Sequence, residues 1–331
     1  MFRYLVRRLI WAFVLFIAVT VVTYIIFYAI PANPARLACG QRATEECVKR
    51  AAHYLGTDRP LYVQYGKFFG RLMPVSTRGG VHLKEPSLGR SFTTRLSVNY
   101  VVGHAAPVTA SLVFGGAIFW MLLALPIGIL SALRPRSLLD RIAMVFVLIG
   151  ISAHPVWIGL LFAYFFGFKA GIFPITGYCD VFNPSGDCGG PVQWAYHLIL
   201  PWVTFAILFA ALYVRMIRAN VMEALGEDYV RTARAKGAPE WLVMRSHVLR
   251  NALLPVVTML GMDIGLALGG AIFTESVYGL PGLGKTAIQA IEGFDLPVTQ
   301  GVVVFATLCI ITFNLLVDLL YAWIDPRIRL T

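Results

Sequence analysis

The chain has 331 residues, of which 58% are hydrophobic and only 14% charged, and its formal net charge is +11. Soluble globular domains carry about 25% charged residues, so this composition excludes an ordinary water-soluble domain and calls for a lipid-facing surface. The positive balance on its own would suit a nucleic-acid binder, but the distribution of that charge along the chain speaks against nucleic acid.

A helix needs about 20 predominantly apolar residues to span the hydrocarbon layer. Six stretches qualify: Leu9 to Ile30, Val108 to Ala132, Ile142 to Phe168, His197 to Met216, Leu253 to Ile272, and Gly301 to Trp323. The first follows Arg3, Arg7 and Arg8, as a signal peptide would. It is longer than a signal core and runs into Pro31 and Pro34 rather than a small-x-small cleavage site, so a retained span is expected. The expected fold is an all-α polytopic membrane protein with six transmembrane helices. Three parts follow: residues 1–30 as N-terminal tip and first span, 31–105 as an extracytoplasmic insertion, and 106–331 as a five-helix core with a cytoplasmic loop at about 217–252.

Lys and Arg gather in short cytoplasmic loops. With the N-terminus inside, the inner segments hold Arg3, Arg7, Arg8, Arg134, Arg136, Arg141, Arg215, Arg218, Arg231, Arg234, Lys236, Arg245, Arg250, Arg327 and Arg329. The short outer loops hold only Lys169 and Lys285. The long insertion carries the rest, and long segments cross largely regardless of charge. Both termini are therefore expected in the cytoplasm, and the basic charge reflects topology rather than a nucleic-acid partner.

Within the insertion, a helix is expected from Glu45 to Leu55, followed by turns at Pro74, Gly79, Gly80, Pro86 and Gly89. Cys39 and Cys47 fall in this segment, Cys179 and Cys188 in the next outer loop, and Cys309 in the last span. Two close pairs in an oxidising space suggest the disulfides Cys39–Cys47 and Cys179–Cys188. Reduced thiols without a role are the alternative, and sequence does not fix connectivity. The spacings do not match a zinc site, and no metal site is expected.

Acidic residues within spans usually face the bundle interior. Asp263 and Asp318 read first as hydrogen-bonded helix anchors and second as pore lining. Glu275 reads equally as either, with a cationic group of a substrate or binding protein as one partner. His154, beside Pro155, reads as a contact at a helix kink.

Gly279 to Thr286, GLPGLGKT, fits the phosphate-loop pattern, which requires a strand before it and a helix after it. Here the preceding segment continues a span and faces outward, so a turn at the outer mouth of the path is expected. The sequence has no Ser/His/Asp arrangement, no HExxH and no clustered CxxC, so the chain is not expected to be an enzyme.

The most informative stretch is YVRTARAKGAPEWLVMRSHVLRNALLP, Tyr229 to Pro255. One helix is expected from about Val221 to Lys236, a break at Gly237, Ala238 and Pro239, and a second helix from about Glu240 towards Pro255. A small-residue face beside a tight Gly turn fits a groove on a partner, with basic side chains meeting acidic residues or lipid phosphates. A loop that only fixes orientation is the alternative.

This stretch resembles the cytoplasmic loop of the permeases of ABC importers, whose usual pattern is Glu-Ala-Ala, three residues, then Gly. Arg231, Thr232 and Ala233 take the Glu-Ala-Ala places and Gly237 is the Gly. Arg231 in place of Glu, and a Leu-Pro (Leu254, Pro255) lying further on, resemble the oligopeptide/dipeptide/nickel branch. So do LGTDRPLYVQYGKFFG (Leu55 to Gly70), SLGRS (Ser87 to Ser91), IFTESVYGLPGLGK (Ile272 to Lys285) and the end from Asp318 to Arg329 with its Val317. Both cysteine pairs, and the lack of an Arg near Pro107, depart from that pattern.

The resemblance implies a permease that pairs with a similar second permease, each docking one of two cytoplasmic ABC ATPases through this loop, the coupling helix. An extracytoplasmic substrate-binding protein delivers the cargo. The contact residues it implies are Arg231, Thr232, Ala233, Ala235, Lys236, Gly237 and Ala238. It implies ATP and Mg on the ATPases and no cofactor in this chain. Di- or oligopeptides are the expected cargo, with nickel chelate, glutathione or another small solute as alternatives. An ion-coupled transporter is disfavoured, because inverted repeats and midplane broken helices are not evident. The location implied is the inner membrane of a prokaryote.

Overall fold

A computed structural model describes residues 2–29, 35–36, 39, 44–55, 60–73, 75–76, 82–83, 85–181 and 188–324. Pro31, Pro34, Pro74, Gly79, Gly80, Arg327 and Arg329 lie outside the described residues, as do parts of the Leu55–Gly70 and Asp318–Arg329 segments.

The described residues are overwhelmingly helical. α1 is Phe2–Tyr24, α2 Glu45–Leu55 and α3 Leu61–Leu72. Among the described residues, strand pairing is confined to a two-residue antiparallel ladder, Val75–Ser76 with His82–Leu83, and a bridge between Arg90 and Ser97. The core follows: α4 (Val98–Leu133), α5 (Leu138–Ser152), α6 (Pro155–Lys169), α7 (Gly190–Gly226), α8 (Asp228–Ala235), α9 (Glu240–Ala252), α10 (Leu254–Ala267), α11 (Ile272–Val277), α12 (Leu283–Glu292) and α13 (Leu296–Ile324).

Among the described residues, four helices are long and apolar enough to cross a membrane, or up to six if each of two bent pairs is one span. The two longest, α4 with 36 residues and α7 with 37, reach about 54 Å at 1.5 Å per residue, against about 30 Å of hydrocarbon. They therefore project beyond the apolar layer.

α4 and α7 form the heart of the bundle. Trp120 is fully buried and stacks on Phe209 at 4.6 Å, with Phe205 and Tyr213 beside it. The Trp202 indole N–H donates to the Ser111 carbonyl at 2.9 Å. α10 lies against α13 through glycines spaced one turn apart. A Cβ on Gly261 would come within 1.9 Å of Val317 Cγ2, and one on Gly265 within 2.9 Å of Phe313 Cβ. Small residues at this spacing let membrane helices approach backbone to backbone.

Three expectations need correction. The third apolar run is not one straight helix, because α5 and α6 meet at 106°. Ala153 turns extended, and His154, extended as a residue before proline must be, caps α6 by accepting from the Val156 N–H at 3.3 Å. The fifth run ends at Ala267, so Ile272 already belongs to α11. The helix expected from Val221 to Lys236 is divided at Glu227, whose extended backbone (φ −72°, ψ 148°) follows helix-weakening Gly226. In addition, α3 makes a second helix of the insertion, packing Tyr65 and Phe68 against Tyr24 of α1.

Candidate functional site

The loop at the end of α7 is built from its backbone upward. α8 places Val230 and Ala233, one turn apart, inward against the core with Val243 and Val248 of α9. This fixes α8 to the bundle and turns its other face outward. Its end is a Schellman motif: the Ala238 N–H reaches the Ala233 carbonyl at 3.2 Å and the Gly237 N–H reaches the Arg234 carbonyl at 2.9 Å. Gly237 carries φ +81°, the left-handed conformation that this motif requires. Pro239 then starts α9.

Of the expected contact residues, Arg231, Thr232, Ala235, Lys236 and Gly237 are exposed and Ala238 is half-buried. Ala233 is only 8% exposed and serves as an anchor of α8. Arg234, not among them, forks Glu240 at 3.1 and 2.5 Å and clamps the turn from outside. Arg231 stands 3.6 Å from Asp228, with both side chains largely in solvent. Behind the loop, a 330 Å³ cleft is lined by Asn220, Glu223, Glu227, Tyr229, Asn251 and Pro255.

The same end of the bundle carries a node that sequence reasoning missed. Asp140 accepts from Arg218 at 2.7 and 3.0 Å, from the Ser131 hydroxyl, and from the Arg136 N–H at 2.8 Å. It ties α4, α5 and α7 together where α7 hands over to α8. The available signal was local: Ser137, three residues before Asp140, accepts from its N–H at 3.2 Å as a helix cap.

The acidic residues singled out in the spans are each engaged. Asp263 accepts from the Tyr213 hydroxyl at 2.6 Å, joining α10 to α7. Asp318 pairs with Arg8 at 3.0 Å, joining α13 to α1. Glu275 is 0% exposed, and its carboxylate takes hydrogen bonds from Thr109 Oγ1 at 2.7 Å, the Lys285 N–H at 3.0 Å and the Ala271 N–H at 3.3 Å. GLPGLGKT covers the turn that follows α11 and the first turn of α12, so a helix rather than a strand precedes it. Asp295, also unforeseen, accepts from Ser91, the Phe92 N–H and Thr93, holding the SLGRS segment to the start of α13.

The cysteines pair within their segments. Cys39 is bonded to Cys47 and Cys179 to Cys188, while Cys309 is free. Among the described residues no group of His, Cys, Asp and Glu is arranged to hold a metal.

Comparison with known proteins fits this architecture. The family described as "Binding-protein-dependent transport system inner membrane component" matches residues 124–330, and its N-terminal companion matches residues 1–113. The probable D,D-dipeptide transport system permease protein DdpB of Escherichia coli (strain K12) is 35% identical, covering 98% of this chain and 97% of its own. The dipeptide transport system permease proteins DppB of Alkalihalophilus pseudofirmus and of Escherichia coli (strain K12) are each 33% identical, with 99% of this chain covered and 100% and 99% of theirs. Among solved structures, the MetNI methionine ABC transporter in inward facing conformations aligns with a TM-score of 0.53 at 19% identity, over 68% of this chain and 97% of that one, a likeness of fold. The chain belongs to the binding-protein-dependent transport system inner membrane components, as a permease of the oligopeptide/dipeptide type.

Proposed function

We propose that this chain forms half of the translocation path of an ATP-driven importer of di- or oligopeptides. A second, similar permease supplies the other half. One of two ABC ATPases docks at the α8–Gly237–α9 loop and the other at the second permease, and an extracytoplasmic binding protein delivers the peptide at the opposite face. On this reading the bent pairs α5/α6 and α9/α10 each count as one crossing. That gives six spans with both termini in the cytoplasm and residues 31–105 outside.

The observation that carries the reading is the α8–α9 loop. A short helix pinned from behind by Val230 and Ala233 offers an outward face of Arg231, Thr232, Ala235 and Lys236. Its turn is clamped by Arg234 and Glu240. Such a knob transmits a push, because its anchoring side cannot yield without breaking core packing. ATP binding on the partners biases one of two arrangements of the permease pair, and the loop carries that bias into the bundle. The peptide cargo rests on the relatives, whose names are those of dipeptide permeases.

The test is reconstitution with the second permease, the ATPases and the binding protein in liposomes. Uptake of labelled dipeptides is expected to follow ATP on the loop side and to need the binding protein. Uptake that follows an ion gradient, or that persists without the ATPases, would contradict the reading.

A further inference from the structure

The α11–α12 hairpin folds around a carboxylate of its own. Glu275 sits at its centre, held by the hydroxyl of Thr109 on α4 and by the N–H groups of Ala271 and Lys285. Thr109 Oγ1 also accepts from the Leu283 N–H at 2.8 Å, so one hydroxyl bridges the carboxylate and the start of α12. The glycines of the motif make room for this wrap. A Cβ on Gly282 would lie 2.4 Å from the carboxyl carbon, and one on Gly284 would lie 2.8 Å from the backbone of Ile272. From the motif itself, the Lys285 N–H reaches the carboxylate directly and the Leu283 N–H reaches it through Thr109. The stretch that matches a phosphate loop in sequence thus folds around a side chain of this chain.

The hairpin is bolted to α6 and α7 as well. The hydroxyl of buried Tyr278 bonds Thr204 Oγ1 of α7 at 2.7 Å and the Gly159 carbonyl of α6 at 3.3 Å. From there α4 and α7 run the length of the bundle side by side, joined through Trp202 and Ser111, then Trp120 and Phe209, then Arg218, Asp140 and Ser131. α7 ends directly at the docking helix α8.

From this chain of contacts we propose that Glu275 is a positioning residue for transport: with Thr109 it fixes the α11–α12 hairpin to α4, so the hairpin moves with the α4/α7 pair when the docked ATPases close. The proposal rests on the reading of the preceding subsection. An uncompensated carboxylate in an apolar bundle is costly, and here its hydrogen bonds are the join between the hairpin and the span.

The test is pulsed electron–electron distance measurement on the full transporter complex in lipid nanodiscs. Spin labels go on exposed positions of the hairpin and of α4, Ile291→Cys and Leu122→Cys, in a Cys309→Ser background. The parent is expected to give one distance that does not shift between the nucleotide-free and ATP–vanadate-trapped states. Thr109→Val and Glu275→Gln are expected to add a second, shifted peak on trapping, and Thr109→Ser, which keeps the hydroxyl, to restore the single peak. The proposal is overturned if the parent distance itself shifts on trapping, or if Thr109→Val and Glu275→Gln give the parental distribution in both states. A role confined to stability, which lowers the yield of assembled complex without a nucleotide-dependent peak, overturns it as well. A parent that co-purifies with no ATPase overturns the preceding reading instead.

Discussion

Arg218 forks both carboxylate oxygens of Asp140 at 2.7 and 3.0 Å, and through the Ser131 hydroxyl the same carboxylate grips α4. The pair sits at the end of the bundle where α7 leads into α8. Asp140 is 4% exposed, so the contact lies inside the packing rather than on its rim.

Breaking that fork leaves a buried charge without its partner, which costs up to about 3–5 kcal/mol. Arg218 keeps a quarter of its side chain in solvent, so the expected loss for Asp140→Ala is lower, about 2 kcal/mol. A double-mutant cycle with Arg218→Gln, read by unfolding of the purified protein in detergent, is expected to give a coupling of about 1–2 kcal/mol. Additive effects of the two substitutions would contradict the structural role assigned to the node.

Gly237 has open space where a Cβ would go but holds φ +81°. The cost of a side chain there is backbone strain. Gly237→Ala is expected to destabilise the turn by about 1 kcal/mol and to reduce ATPase co-purification, with Gly237→Val reducing it further. Gly237→Asn, which tolerates the left-handed region better, is expected to fall between parent and Ala. The ATPase-to-permease ratio after mild-detergent purification checks the order.

Gly265 faces both Phe313 Cβ at 2.9 Å and the Ile310 backbone at 3.3 Å from a built Cβ. Gly265→Leu is therefore expected to push α10 off α13. Overpacking of this kind costs about 1–3 kcal/mol, visible as a lower apparent melting temperature and a smaller yield of folded protein. An unchanged melting temperature would contradict the close approach of the two helices.

Non-reducing peptide mapping is expected to recover Cys39 linked to Cys47 and Cys179 linked to Cys188, with Cys309 alkylated only after denaturation. Cross-linked pairs between the two segments would contradict the fold of both.

Much of this was legible in the residues. The apolar runs marked α1, α4, α7 and α13, because hydrophobicity over about 20 residues is set by the lipid and needs no tertiary information. Gly237 and Pro239 marked the break between α8 and α9 for a similar reason, as each acts through its own backbone. The kink at His154 was legible from Pro155, but its 106° size was not, since a run of apolar residues looks the same straight or folded back. The partnerships of Asp140 with Arg218, 78 residues away, and of Asp295 with Ser91, 204 residues away, depend on which helices meet. The GLPGLGKT match had the reverse problem: its glycines mark a close backbone wrap, but the sequence does not say that Glu275 is what they wrap.

The docking role of the α8–α9 loop is tested most directly by placing a photo-crosslinking amino acid at Lys236, an exposed position next to Gly237. Irradiation of the assembled complex is expected to yield one adduct with the mass of this chain plus one ATPase. An intact complex that gives no such adduct, or modification of Lys236→Cys by an impermeant thiol reagent added outside whole cells, would contradict it.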